Sequence, residues 1–181
     1  MSKQQYISES AQIDNTTKQI DDSETLTRLL CSPWYYNELL GIVNPDAFDL
    51  RIQNSGDYEE YVSLVRPRCL QSQEDLESFL SNMGRRIWDN KPQDPNHYIG
   101  YGNFICSDAR EVHEMIEIYP LIKGSDTHIG LFYRHPKGGY YCGPLPKTDP
   151  EILEMLTDLA DLLEVTKIAP KANDILKKDL N

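Results

Sequence analysis

Two long segments of the chain repeat apolar residues at helical spacing. Between residues 72 and 90 an apolar residue recurs every three or four positions, and Ser72 at the start has a carboxylate three residues later. This arrangement predicts a capped amphipathic helix. Residues 150–164 carry a wide apolar face and an acidic opposite face, preceded by Asp149 and Pro150. An aspartate followed by proline is a typical helix start, so a second helix is predicted there.

The remaining apolar segments are shorter and favour strands. Those rich in β-branched and aromatic residues are 58–65, 97–106, 114–119 and 127–133. Each is bounded by turn-forming residues, which is typical of strands. Residues 133–142 predict a hairpin with a further short strand, turning through Gly138-Gly139. Leucines at helical spacing after Ser23, ended by Ser32-Pro33, predict instead a short helix over residues 24–31.

This order of elements predicts one α+β domain over residues 23–165, with a small, mainly antiparallel sheet and helices on one face of it. The leader, residues 1–22, is rich in polar residues with few large apolar ones, which predicts a disordered or loosely attached segment. Residues 166–181 turn basic and polar, and predict a loosely packed tail.

Composition limits the classes of function. The chain has 181 residues, with 29 acidic against 18 basic side chains and a formal net charge of −11. That charge repels the phosphate backbone, so nucleic-acid binding is disfavoured, and a protein partner, particularly a basic one, fits better. The first ten residues lack a signal-peptide pattern, and no apolar window is long enough to span a membrane. We therefore expect a cytoplasmic protein of bacterial type.

The cysteines predict no metal or cofactor site. All four lie 36 to 38 residues apart, without a CxxC pair. We interpret Cys31, Cys69, Cys106 and Cys142 as reduced and mostly buried thiols. No Walker loop, nucleophile elbow or dinucleotide motif occurs either. Whether the protein is an enzyme therefore remains open at this point.

Two histidines are the candidates for catalysis. On a strand, His128 shares a face with Gly130 and Phe132, where a histidine lining a cleft serves as a general base or as a metal ligand. The alternative is a structural histidine, paired with a carbonyl or with Asp126. His113 has acidic neighbours on either side that would activate it, but the spacing does not match a metalloprotease motif. Its alternative is a solvated turn residue.

A cluster of aromatic and cationic residues in the predicted hairpin of residues 133–142, the tyrosine hairpin, is the candidate binding surface. Its members are Tyr133, Arg134, His135, Tyr140 and Tyr141. Tyrosine is enriched in interface cores, which favours partner binding, while the alternative is packing against the sheet. A weaker candidate is the face carrying Gly100 and Gly102, where the absence of side chains indicates close approach of a helix or a ligand.

Three short stretches resemble a loose group of uncharacterised bacterial proteins. They are TRLLCSPWYYN at 27–37, YVSLVR at 61–66 and THIGLFY at 127–133. That group shares an RL-x-x-SP start, a strand ending in arginine and a late histidine segment in the same order. Gly130 departs from the pattern that follows the group's histidine. The resemblance implies a paired site of Arg66 and His128, and an association with mobile-element or defence-related gene clusters, but no named activity.

The sequence therefore predicts two alternative functions. The first is an accessory protein that binds a protein partner through a sheet face, the tyrosine hairpin or the acidic terminal helix. The second is a small hydrolase or nuclease that uses His128, with His113 and with Arg66 or Arg134 stabilising negative charge. A catalytic His128 must lie within hydrogen-bond reach of another polar group of its site.

Overall fold

The structure of the protein, a computed structural model, describes residues 6–16, 19–53, 55–91, 95–123 and 125–168. In chain order its strands are β1 (Tyr6–Ile7), β2 (Thr25–Ser32), β3 (Tyr36–Asn37), β4 (Ile42–Val43), β5 (Val62–Val65), β6 (His97–Ile105), β7 (Ile116–Pro120), β8 (His128–Tyr133), β9 (Tyr140–Tyr141) and β10 (Glu164–Lys167). The helices are α1 (Gln73–Gly84), α2 (Cys106–Val112) and α3 (Pro150–Asp161). Short 3-10 helices span Pro45–Phe48 and Pro67–Cys69.

A six-stranded sheet forms the centre of the domain, with strand order β10-β6-β2-β5-β8-β7. Every neighbouring pair in it is antiparallel. The hairpin of β3 and β4 and the pair of β1 and β9 form two separate small sheets. The predicted single α+β domain with an antiparallel sheet is confirmed.

Both predicted amphipathic helices are confirmed. The Ser72 hydroxyl accepts a hydrogen bond from the Asp75 backbone N–H at 3.1 Å, so it caps α1 as the sequence predicts. After α1 the chain makes one π-helical turn over Arg85–Asp89. The Asp149 carboxylate caps α3 by accepting from the Glu151 N–H at 3.1 Å. The predicted strands at 97–106, 114–119 and 127–133 appear as β6, β7 and β8, while only Val62–Val65 of the fourth forms β5.

The prediction of a helix over residues 24–31 is wrong, because this segment is the strand β2. It pairs with β6 at every residue from Thr25 to Ser32, and its side chains from Leu26 onward are buried on both faces. A strand covered on both faces carries a continuous apolar run, whose leucines also fit helical spacing. Pairing with a segment 65 to 80 residues away therefore decides the conformation.

The helices lie on both faces of the sheet rather than on the one face that was predicted. Tyr101 and Gly102 are consecutive in β6 and therefore face opposite sides. The Tyr101 hydroxyl accepts a hydrogen bond from Gln73 of α1 at 2.9 Å. Gly102 instead lies against Leu163, the residue between the C-cap of α3 and the start of β10. Because the sheet is apolar on both faces, other elements must shield both faces from water.

The predicted boundaries of the domain are corrected at both ends. Ile13 and Ile20 of the leader are buried, and Tyr6 pairs with Tyr141, so the described residues of the leader pack on the domain. At the other end Glu164–Lys167 forms β10 along β6. The predictions for residues 1–5, 17, 18 and 169–181 lie outside the described residues.

The sheet is joined unevenly at its centre. β2 pairs with β6 over eight residue pairs, but with β5 only where Thr27 lies opposite Val65. Beyond that pair the buried Arg28 donates hydrogen bonds to the carbonyl oxygens of Ser63 at 2.9 Å and Ala47 at 2.8 Å. A side chain thus replaces part of the backbone ladder between these two strands.

Candidate functional site

His128 forms a short hydrogen bond with a serine on the neighbouring strand. Its Nε2 lies 2.6 Å from the Ser63 Oγ. In the register of β5 with β8, Val65 is opposite His128 and Ser63 is opposite Gly130, so all these residues share one face. The partner is neither of those expected for a structural histidine, but a serine 65 residues earlier that no local pattern singles out.

The surroundings of His128 favour its neutral form. The Tyr61 ring meets the imidazole edge-on, with 6.1 Å between ring centroids. Burial lowers the pKa of His128 below its ordinary value. Among the described residues none forms a hydrogen bond with Nδ1. A neutral imidazole with its proton on Nδ1 leaves the Nε2 lone pair free to accept from Ser63.

Arg66 is engaged elsewhere. Its guanidinium donates to both carboxylate oxygens of Glu24, at 2.9 and 2.7 Å, and Arg68 lies 3.0 Å from the same carboxylate. Burial alone raises the pKa of Glu24, but the hydrogen bonds from Arg66 and the Asp21 backbone outweigh it and lower that pKa overall. Within the described part of the chain no hydrogen bond or ion pair joins Arg66 to His128, so they do not form the paired site that the resemblance implied.

His113 links the chain before β7 to the start of α3. Its Nδ1 accepts from the Met115 backbone N–H at 3.2 Å, and its Nε2 lies 2.9 Å from the Glu151 carboxylate. With Nδ1 accepting, Nε2 carries the proton that it donates to Glu151. Only Nε2 thus contacts α3, while Nδ1 is used in the turn before β7, and in the described residues the adjacent Glu111 and Glu114 do not bond to this imidazole. The structure does not bring His113 into a site with His128.

The core of the tyrosine hairpin is buried, which corrects the predicted binding surface. Tyr133 is fully buried, and its hydroxyl donates to the Phe48 carbonyl at 2.6 Å. His135 and Tyr141 are also buried, with His135 stacked on Tyr6 at 4.5 Å between centroids. The prediction that these three residues bind a partner is wrong, because the leader covers two of them and the core contains the third.

Arg134 and Tyr140 remain at the surface, but both donate hydrogen bonds to the Glu117 carboxylate. The Tyr140 and Tyr119 hydroxyls donate to one Glu117 oxygen, each at 2.8 Å, and Arg134 donates to the other. Burial alone raises the pKa of Glu117, but the hydrogen bonds from Arg134, Tyr140 and Tyr119 lower it overall. Burial, followed by the hydrogen bond to Glu117, raises the pKa of Tyr140. This cluster is internally satisfied.

The glycine face of β6 is filled by the chain itself. A Cβ on Gly102 would lie 2.9 Å from Leu163, and one on Gly100 would lie 2.1 Å from the Thr166 carbonyl oxygen. The close approach that the glycines predicted is therefore made by Leu163, after α3, and by β10. The alternative of a ligand at this face is wrong, because no space remains for one.

Metal and thiol chemistry find no support in the described residues. No group of three or more histidine, cysteine or acidic residues there is arranged to hold a metal ion. All four cysteines lie in the described residues and form no disulfide there, and Cys69 is the exposed one. Burial raises the pKa of Cys106 to about 11 and also raises that of Cys142. Neither thiol is ionised near neutral pH.

A shallow groove of about 490 Å³ lies beside the start of α1. Glu24, Arg68, Ser72 and Gln73 contribute its polar lining. The Glu24 carboxylate is already neutralised by two arginines, and Ser72 caps the helix. The Glu24 carboxylate and the Ser72 hydroxyl are thus engaged within the protein, and Ser23 and Thr25 complete the polar lining.

The feature that the sequence analysis missed is an exposed apolar surface at the β3–β4 hairpin. We call it the leucine patch; its members are Trp34, Leu39, Leu40 and Ile42, with 40%, 97%, 69% and 50% of their surface exposed. The available signal was a Leu-Leu pair directly before a turn glycine. Such pairs are common, so the pattern alone does not reveal exposure.

The chain matches no protein-family model, no curated protein and no solved structure. No helix of the described residues is long and apolar enough to cross a membrane.

Proposed function

We propose that this protein binds a protein partner through the leucine patch. The observation that supports the proposal is the exposure of Leu39, at 97%, beside Leu40 at 69%. Scattered apolar side chains are normal on protein surfaces, but here four large ones belong to one hairpin and its flank. A contiguous exposed apolar surface is typical of an interaction site.

The hairpin is held in a defined conformation before it meets a partner. The Asn37 side-chain oxygen accepts from the backbone N–H groups of Leu39 and Leu40, both at 3.1 Å. The Asn37 carbonyl accepts from Gly41, whose φ of +71° suits the turn. Below the tip, Asn44 donates to the Trp34 carbonyl at 2.8 Å. Binding by an ordered loop costs less conformational entropy than binding by a loose one.

The charge around the patch indicates the chemistry of the partner. β4 contacts α3, whose exposed face is acidic. Its exposed carboxylates are Glu151, Glu154, Asp158 and Asp161. With a net charge of −11, the protein repels anionic bilayers and attracts basic surfaces. The expected partner is therefore a protein with an apolar pocket for two leucines and basic residues near it.

A patch variant tests this proposal directly. Leu39→Asp/Leu40→Asp removes the apolar tip, and Ile122→Asp, at a residue 59% exposed in another loop, is the matched control. Tagged forms are purified from the cells that make the protein, and co-purifying proteins are quantified. We expect one stoichiometric protein with the unaltered chain and with the control, and its loss from the patch variant.

Two outcomes contradict the proposal. One is equal recovery of every co-purifying protein by the patch variant and the control. The other is recovery of no protein by the unaltered chain, together with patch-dependent binding to phosphatidylcholine vesicles, which makes the patch a membrane contact instead.

A further inference from the structure

We propose that Ser63 and His128 form a nucleophile and general-base pair that acts on small acyl esters. This activity is separate from partner binding, because the pair lies on the central sheet rather than on the β3–β4 hairpin. In this proposal Ser63 is the chemical partner of His128, the histidine that the sequence indicated.

The geometry is that of an activated serine. The Ser63 Oγ lies 2.6 Å from Nε2 of His128, within the range of a strong hydrogen bond. Burial keeps the imidazole neutral, so Nε2 can accept the hydroxyl proton. None of the described carboxylates bonds to Nδ1, so the arrangement is a dyad without the third, orienting member.

The pair lies between two covered parts of the same sheet face. On one side, α1 covers β6 and contacts the buried Tyr101. On the other side, the leader covers β8, where Ile13 packs against the buried Phe132. Ser63 and His128 between them are both partly exposed. A substrate therefore reaches the serine from a shallow surface with the Tyr61 ring at its border, which favours small esters with an accessible carbonyl.

The proposed reaction has two balanced steps. The Ser63 oxygen bonds to the ester carbonyl carbon while its proton passes to Nε2 of His128. The bond to the alcohol oxygen then breaks, and that oxygen takes the proton from Nε2. Water next attacks the acyl carbon with His128 as base, which releases the carboxylic acid and restores the serine hydroxyl.

The surrounding backbone predicts slow turnover. β8 pairs with β5 on one side and with β7 on the other, so its N–H groups are used within the sheet. A missing oxyanion donor typically lowers kcat by about 10²–10³. Covalent labelling of the serine is therefore a more sensitive test than steady-state hydrolysis.

The test uses a fluorophosphonate probe on the full chain. The Ser63 oxygen displaces fluoride from phosphorus, and the hydroxyl proton leaves with it. We expect peptide mass spectrometry to place the label on Ser63, and His128→Gln to slow labelling by about 10²-fold or more. Ser107→Ala, at a half-buried serine whose hydroxyl bonds to Asp108, should leave labelling of Ser63 at its original rate.

Either of two results overturns the proposal. The first is a folded, unaltered chain in which Ser63 is labelled no faster than free serine. The second is labelling at Ser63 that His128→Gln leaves unchanged while circular dichroism shows both proteins folded, because the histidine would then be only a packing partner.

Discussion

The Glu24 carboxylate accepts two hydrogen bonds from the Arg66 guanidinium, and both side chains are almost completely buried. Removing one member of a buried pair leaves the other charge without compensation, at a cost of about 3–5 kcal/mol. Because Arg68 stays 3.0 Å from the same carboxylate, we expect Arg66→Met to lower the free energy of unfolding by the lower part of this range, about 3 kcal/mol, in urea titrations. Arg134→Met, which breaks a pair whose arginine is 52% exposed, should cost only about 0–1 kcal/mol. Equal losses of unfolding free energy in the two variants would contradict the assignment of Glu24 and Arg66 as the more important, buried pair.

Two buried tyrosines should respond oppositely to loss of the hydroxyl. Tyr35 is fully buried, and no described group forms a hydrogen bond with its hydroxyl, whereas the Tyr133 hydroxyl donates to the Phe48 carbonyl. Tyr35→Phe removes an unpaired polar group, so we expect an unchanged or higher melting temperature. Tyr133→Phe leaves a buried carbonyl unpaired and should cost about 1–3 kcal/mol. The opposite order in thermal unfolding would show that Tyr35, not Tyr133, makes the important hydrogen bond.

A substitution at Gly84 tests how closely the end of α1 packs against its neighbours. Alanine is favoured over glycine in a helix by about 1 kcal/mol, but its Cβ would lie 2.2 Å from the Tyr98 ring. That ring is stacked on Trp88 and has little freedom to move. Overpacking costs about 1–3 kcal/mol, so we expect Gly84→Ala to be destabilising. In a Tyr98→Ala background the same change should become stabilising, and a loss there would contradict the packing explanation.

Acidification should destabilise the fold through two histidines. Burial lowers the pKa of His128, and burial with the nearby Lys137 charge lowers that of His135. The unfolded chain therefore binds more protons than the folded one as pH falls below about 6.5. The stability contributed by the neutral imidazoles is complete above that pH. It is lost as the pH falls through the pKa values of the two histidines in the folded state, which are lower than in the unfolded chain.

Urea titrations between about pH 7 and pH 5 measure this effect. We expect the free energy of unfolding to decline with acidification, and His128→Gln to reduce the slope. A slope that is the same in His128→Gln and in the unaltered chain would show that His128 is protonated equally in both states.

The elements that could be predicted from the sequence carry their own local signals. Ser72 and Asp149 cap α1 and α3 as expected, because caps and helical periodicity involve residues close in the chain. The prediction for the segment that forms β2 was wrong, since Leu26, Leu29 and Leu30 fit a helix and a doubly buried strand equally well.

Most of the candidate site depends on contacts between residues far apart in the chain. Ser63 meets His128 across 65 residues, and Tyr133 bonds to Phe48 across 85. Only the folded sheet shows that the first of these is a surface pair and the second a core contact. Exposure of Leu39 is likewise a property of the folded hairpin, so the sequence could not distinguish it from a core leucine.

Because β2 and β5 pair only where Thr27 lies opposite Val65, we expect the domain to open in two units. One foldon contains β10, β6 and β2; the other contains β5, β8 and β7, with the Arg28 side chain bridging to the Ser63 carbonyl. Amide hydrogen exchange should give each half its own opening free energy. Ser63 and His128 belong to the same half, so an opening between the halves leaves their hydrogen bond intact.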